Sequence, residues 1–396
     1  MLKYKLVQGV QDYLPEDFEK KVALERKIEY IFENYGYKFV QSPTLEHHDI
    51  FTSGDSIAPF NQLFKTSDTD GNLLVLRSDM TTPISRIVST KMQADFPLRL
   101  SYIANSFKLK VEKNKLREFT QAGVELFGVS SPCADAEVIA LAIDTLKSIG
   151  LTDFLIDIGQ VNILKGFLNT TKLDEKEKQG VMSLVDKKNL IEDNLIKSLS
   201  KNECKTINAI VRLFGDADVL DEAESILDNT ESLEALSNLR EVYTILQNMG
   251  YEEYISFDLG IVNTYTYYTG TVFKGITKYF GSPILSGGRY DTLTHIFDKD
   301  IPGTGFAIGR INLMQALEKV DSDIDTVNRS VALGMAESPN AQKAYKKVCD
   351  SIIAKGCTID YSYTTDIQAL KDYAKSRGIS LVIFIEENGV SKEVAL

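Results

Sequence analysis

The sequence predicts an α+β protein: an antiparallel sheet core flanked by helices, broken by a helical insertion and followed by a small α/β domain. Three observations carry this expectation. Strand-like stretches rich in aromatic and β-branched residues recur with tight turns between them, which is the antiparallel pattern. From about 163 to 250 the pattern turns helical and polar. There Ile207, Ile210, Val211 and Phe214 end at Gly215, and Leu236, Leu239, Tyr243 and Leu246 end at Gly250. The last segment alternates strand (Val331 to Leu333), helix (Ala341 to Ala354), strand (Thr358 to Tyr361), helix (Asp366 to Arg377) and strand (Leu381 to Ile385), an order that implies parallel pairing.

At 396 residues the chain exceeds a comfortable single core. The expected division is a first domain over 1–320, containing the insertion, and a second over 329–396, with the acidic stretch Asp321 to Asp325 between them. Met1 to Gln8 lacks the apolar core of a signal peptide, and no run of ~18 apolar residues is present to span a bilayer. A cytoplasmic location, with no membrane partner, is therefore expected. The four cysteines are scattered without a CxxC pair, which reads as reduced thiols, and three histidines are too few for a histidine-rich metal site. No cofactor is expected. The net charge of -12 weighs mildly against nucleic-acid binding, since phosphate neutralisation needs basic surface.

Taken in order, residues 9 to 17 make a turn-rich approach to a helix whose inner stripe is Leu24, Ile28, Ile31, Phe32 and Tyr35, closed by Gly36. Tyr37 to Val40 is a short strand stopped by Pro43. Asp70-Gly71 signals a hairpin delivering Arg77 to Pro83, where a Thr cap before Pro83 starts a helix with Ile84, Ile87 and Val88 inward. Pro97 to Ser106 is a strand, followed by the polar loop Val111 to Leu116. Val262 to Phe273 reads as a strand, Gly281-Ser282 as a turn, and Pro302 to Gly309 as a glycine-punctuated strand running into a helix from Arg310.

The stretch Arg117 to Gly128 carries the functional signal. As a strand it puts Ala122, Val124 and Leu126 on one face and Gln121, Gly123 and Glu125 on the other. An amide and a carboxylate flanking a glycine describe the floor of a polar pocket, where a ligand could approach the backbone. A solvated strand face would look the same in this stretch alone. The paired Gly287-Gly288 beside Arg289 and Tyr290 invite the same reading, or a plain structural turn.

Together these segments resemble the core of class II aminoacyl-tRNA synthetases, histidyl-tRNA synthetase in particular. The resemblance rests on Gly9-Val10-Gln11-Asp12, Gly36 to Pro43, Leu76 to Thr81, Arg117 to Gly128, Tyr267 to Gly270, Gly287 to Asp291 and Gly305 to Gly309, in the family's order from about residue 5 to 318. It implies a six- or seven-stranded antiparallel sheet and a homodimer formed through the Gly36 to Pro43 motif. It also implies a histidine pocket built from Asp79, Thr81, Gln121, Glu125, Tyr268 and Tyr290. Asp79 is one methylene shorter than the family's usual Glu.

The resemblance fails at the cations of adenylation. The family's phosphate-binding arginines align with Lys108, Asn263 and Asn312, and its acidic neighbour in the second motif becomes Lys110. Arg310 lies two positions early, roughly 200° around a helix. Each lost donor of this kind costs ~2.7–4 kcal/mol of barrier, so no adenylating activity is expected. The sequence is therefore most similar to the non-charging branch, the regulatory subunits of ATP phosphoribosyltransferase. That branch implies a non-catalytic chain required by a short catalytic subunit in the first step of histidine biosynthesis and involved in feedback inhibition by histidine, in a hetero-octamer. The alternatives are a divergent histidyl-tRNA synthetase and a free-standing histidine-binding paralogue. The second domain resembles a truncated anticodon-binding domain: the sequence stops at Leu396 where that domain would continue. Its basic content near Lys371, Lys375 and Arg377 is thin, so no tRNA partner is expected.

Overall fold

The computed structural model describes residues 4–53, 62–92, 95–109, 116–191, 196, 198–261, 267–320 and 330–396. Lys110, Asn263 and the acidic stretch Asp321 to Asp325 lie outside them, as do residues 111–115 of the polar loop. The chain divides into two compact units, Met1–Ile324 and Asp325–Leu396.

Helix α1 (Pro15–Asn34) starts on a proline whose missing N–H costs nothing there, with Glu16 and Asp17 in the positive first turn. Its Leu24, Ile28 and Phe32 are buried, and Gly36 leaves the helix at φ +82°. After the short strand β1 (Lys38–Phe39) come β2 (Leu45–His47), β3 (Lys65–Ser67) and β4 (Leu73–Leu76), which form a small sheet in the order β2-β4-β3. The Asp68 carboxylate accepts the N–H groups of Asp70 and Asn72 and so closes the predicted hairpin. Helix α2 (Thr81–Lys91) begins two residues before Pro83, and its first-turn N–H of Thr82 is accepted by the Asp79 carboxylate at 2.9 Å. The capping group is thus Asp79 rather than a threonine, because a carboxylate there also meets the helix dipole.

Strands β5 (Leu98–Phe107) and β6 (Glu118–Phe127) pair antiparallel, with Tyr102 opposite Gly123 and Leu100 opposite Glu125. Helix α3 (Pro132–Ser148) covers the Ala122, Val124 and Leu126 face with an almost continuous apolar surface. Strand β7 (Leu155–Gln160) leads into the insertion: α4 (Val161–Asn169), α5 (Glu175–Asp186), α6 (Lys201–Arg212), the two-residue β8 (Phe214–Gly215), α7 (Asp218–Ile226) and α8 (Thr230–Asn248). Capping boxes at Asp174/Glu177 and Ser200/Glu203 open α5 and α6. Phe214 does not continue the inner stripe of α6. The helix ends at Arg212, Leu213 turns extended, and Phe214 is left 69% exposed.

The chain returns through β9 (Ile255–Asp258), β10 (Thr271–Thr277), β11 (Phe280–Arg289) and β12 (Gly303–Gly309) into α9 (Arg310–Leu317). The turn between β10 and β11 falls at Lys278-Tyr279, ahead of Gly281-Ser282, because the Thr277 hydroxyl is anchored on the Asp153 carbonyl. Among the described residues the main sheet has nine strands in the order β1-β5-β6-β12-β11-β10-β7-β9-β8. Six consecutive ones, β5 to β7 in that order, are antiparallel, as the α+β reading anticipates. The edge strand β1 and the next-to-last strand β9 pair in parallel with β5 and β7, since each is separated from that neighbour by a long crossover; for β9 the crossover is the whole helical insertion, and β8 closes the sheet antiparallel to it.

The second unit holds β13 (Ser330–Met335), α10 (Pro339–Ala354), β14 (Thr358–Tyr361), α11 (Ile367–Ser376), β15 (Leu381–Ile385) and β16 (Ser391–Ala395). Its sheet order is β14-β13-β15-β16, parallel except for the antiparallel β16, a polar edge strand without the apolar run that marks the others.

Candidate ligand site

Asp79, Thr81, Gln121, Glu125, Tyr268 and Tyr290 are drawn from four separate stretches of chain, and all six line one small polar cavity. Its floor is β6 and β12, and its sides are the turn before α2, the segment before β10 and the residue after β11. Glu125 is the centre. The Thr81 hydroxyl donates to its Oε1 at 2.7 Å and the Tyr290 hydroxyl donates to its Oε2, so both carboxylate oxygens are engaged. The Ser106 hydroxyl donates to Gln121 Oε1 at 2.9 Å and orients that amide.

Glycines make this possible by removing side chains where others must fit. A Cβ on Gly305, opposite Glu125 in the ladder, would sit 2.1 Å from Glu125 Oε2 and 2.3 Å from the Val124 carbonyl. A Cβ on Gly288 would meet the Tyr268 ring at 2.7 Å, and one on Gly303 the Tyr290 ring at 2.5 Å. Gly123 is different from its sequence reading. The space over it is taken by the Tyr102 hydroxyl, 2.5 Å from a would-be Cβ, so an aromatic side chain approaches this backbone, not a ligand. Gly287-Gly288 likewise lie inside β11, where they admit rings, and form no turn. Gly305→Ala is expected to cost about 1–3 kcal/mol in urea denaturation, since the Val124 carbonyl cannot move aside. Gly281→Ala, with nothing within 4 Å, should fall within about 0.5 kcal/mol of the parent.

Burial dominates the electrostatics. Glu125 is 1% exposed, and desolvation, reinforced by the Asp79 carboxylate, pushes its pKa up to about 8 against the pull of the Tyr290 and Thr81 hydrogen bonds. Asp79 is raised by burial too, offset by its bonds to Thr82 and by the charge of Lys108. The Tyr290 hydroxyl is held well above its ordinary value by burial and by Glu125, so it stays a donor. Among the described residues no Lys or Arg lines the cavity that holds these two carboxyl groups, and Lys108 acts on Asp79 from outside that lining. Such a site suits a ligand that brings its own positive charge and N–H donors.

The arginines are committed elsewhere. Arg77 donates to the carbonyls of Ser42, Pro43 and Asn105. Arg289, beside the glycine pair, turns to the far face of the sheet and pairs with the buried Asp135 of α3 at 2.9 Å. Arg310 stacks on Tyr13, donates to its hydroxyl at 2.8 Å and lies 3.6 Å from Glu25. The stem of Arg117 lies against Gly9, Asn312 donates to the Pro283 carbonyl, and Lys108 sits over the Phe119 ring. Among the described residues no group of three or more His, Cys, Asp or Glu is placed to hold a metal, and no helix is long and apolar enough to cross a membrane.

A histidyl-tRNA synthetase family model matches residues 9–317. An ATP phosphoribosyltransferase regulatory subunit from Acetivibrio thermocellus is 39% identical over 392 residues, covering 96% of this chain and 93% of that one. Another from Clostridium acetobutylicum is 36% identical and covers 98% of both. The chain belongs to the ATP phosphoribosyltransferase regulatory subunit family. A solved structure from Bacillus halodurans, described as an ATP phosphoribosyltransferase regulatory subunit/histidyl-tRNA synthetase, superposes with a TM-score of 0.84 at 29% identity over 97% of this chain and 98% of that one. The histidyl-tRNA synthetase of Nostoc sp. PCC 7120 shares the fold at TM-score 0.80 and 21% identity, covering 99% and 97%. This regulatory-subunit chain thus has the class II synthetase fold with the small terminal sheet.

Seven further residues line the cavity beyond the six that the resemblance implies, among them the polar side chains of Tyr102, Tyr267 and Ser286. Tyr102 had a usable signal. An aromatic in one strand opposite a glycine in the next marks a ring laid across the sheet, but only once the register is known.

Proposed function

We propose that this chain, a non-catalytic regulatory subunit of ATP phosphoribosyltransferase, binds free L-histidine in the Glu125 cavity and adjusts a short catalytic subunit accordingly. The observation that carries the reading is the buried Glu125 carboxyl beside the half-buried Asp79 in a cavity without a described lining cation. Asp79 would take the α-ammonium, and Glu125 with Tyr290 and Thr81 would take the imidazole. Gln121 and Tyr268 would supply neutral polar partners. Whatever factor histidine occupancy applies to the catalytic subunit's affinity, that subunit applies to the affinity for histidine.

The assembly we infer is a homodimer formed through the Gly36 to Pro43 motif, joined by the short catalytic subunit in a cytoplasmic hetero-octamer. Mixing the two purified chains should give co-elution and phosphoribosyltransferase activity that the catalytic chain alone lacks, and added histidine should lower it. A chain that neither co-elutes nor activates would instead be a free-standing histidine-binding paralogue. A divergent histidyl-tRNA synthetase is the second reading, favoured by the shared fold; it predicts histidine-dependent exchange of pyrophosphate into ATP. The commitments of Arg77, Arg289 and Arg310 to protein groups argue against that outcome.

A further inference from the structure

Tyr268 reaches the cavity from a segment that is not part of any ladder, since β10 begins at Thr271. Carbonyls in such a segment need partners from elsewhere. Three consecutive ones find them on the start of a single helix, α4. Lys165 Nζ donates to the Tyr268 carbonyl at 3.0 Å, Asn162 Nδ2 to that of Thr269 at 2.9 Å, and the Val161 N–H to that of Gly270 at 3.2 Å. On its other side the segment is tied to the site. The Thr269 N–H bonds the Arg289 carbonyl at 2.9 Å, the Asp291 N–H bonds the Thr269 hydroxyl at 2.9 Å, and the Tyr268 ring lies over Gly288.

Helix α4 is in turn fixed to the rest of the insertion. The Ser232 hydroxyl of α8 donates to the Ile163 carbonyl at 2.7 Å, and Gly166 packs so close that a Cβ would meet Ser232 N at 2.8 Å. Gln160 caps α4 through the Asn162 N–H and also bonds Asn238 of α8 at 3.2 Å.

We propose that Lys165 and Asn162 are positioning residues for the ligand site, holding the Tyr268 wall against α4 so that filling the cavity also steadies the helical insertion. Neither lines the cavity. Their effect on the ligand passes through the main chain of residues 268 to 270, and an ammonium on a carbonyl is the stronger of the two bonds. A wall already held in place costs less order on binding, and a wall stiffened by ligand stiffens what is bonded to it.

The inference rests on histidine being the ligand, and the test separates the two. Calorimetric titration of the full chain with L-histidine is paired with hydrogen exchange, for wild type, Lys165→Met and Lys165→Arg. Wild type should show histidine slowing exchange in residues 267–270 and also in α4. In Lys165→Met the affinity should fall about 10-fold and the protection of α4 should vanish while that of 267–270 persists. Lys165→Arg, which keeps a donor, should recover most of the affinity. A merely structural Lys165 would change stability without uncoupling those two protections. Asn162→Ala repeats the test at the next carbonyl should Lys165→Met not fold. Unaltered affinity in Lys165→Met, or histidine protection that never reaches α4 in wild type, overturns the inference and leaves the histidine reading standing. Absence of binding by wild type overturns both.

Discussion

Glu125→Ala should abolish histidine binding. The substitution removes a carboxyl group that bonds Thr81 and Tyr290 at once and that a cationic ligand would hold ionised, so a bound imidazole loses its charged partner and two hydroxyls lose theirs. Truncating one member of a buried charge-assisted set typically costs ~2–5 kcal/mol, a weakening of roughly 30-fold to several thousand-fold. Equilibrium dialysis with labelled histidine measures it. The comparison with Glu125→Gln is informative because the amide fills the space and can still accept through one oxygen. It should bind weakly where Ala binds undetectably. Equal, undiminished binding by both would remove Glu125 from the site.

The second large effect is on stability, and its sign is opposite. Burial lifts the Glu125 pKa from its ordinary value of 4.5 to about 8. Between those values the unfolded chain has released the proton and the folded chain has kept it, so folding stability is complete at low pH and declines as pH rises. The slope is ~1.4 kcal/mol per pH unit, of the order of 5 kcal/mol across the whole window. Glutamine carries no such proton. Glu125→Gln should therefore match the parent near pH 4.5 and become progressively more stable toward pH 8, which denaturant titrations at several pH values would reveal. Parallel pH profiles for the two proteins would mean that Glu125 is solvated and ionised in the folded chain. A binding residue that weakens its own scaffold is what a site kept for a ligand looks like.

Much of this site was legible in one dimension. The alternation in Arg117 to Gly128 separates Ala122, Val124 and Leu126 from Gln121 and Glu125, and the structure sends the first set to the α3 core and the second to the cavity. What single strands do not encode is register. Glu125 faces Gly305 and Gly123 faces Tyr102 only because β12, β6 and β5 pair as they do, so the role of each glycine depends on a strand other than its own. The cap of α2 is ambiguous in the sequence for a related reason. Thr81, Thr82 and Asp79 all suit a helix start, and the tertiary position of Asp79 at the cavity decides among them. Short edge strands such as β8 and β16 carry too little apolar pattern to announce themselves, and they form because a partner edge is already in place.

The cation positions show the converse. The resemblance places Lys108 and Asn312 where the synthetase family uses arginines, and that expectation needs only the sequence. The destinations of Arg289 and Arg310 are not, because each depends on a carboxylate distant in the chain, Asp135 and Glu25. Helix α4 is a third kind of case: Lys165 reads as an ordinary polar helix residue until the Tyr268 carbonyl is found beneath it.

The decisive property proposed for this scaffold is that it holds an amino acid without activating it. Titrating L-histidine into the purified chain by calorimetry is the direct measurement, run alone and again in the presence of the short catalytic subunit. The prediction is one histidine per chain, with an affinity that the catalytic subunit shifts. A flat titration in both settings would contradict it.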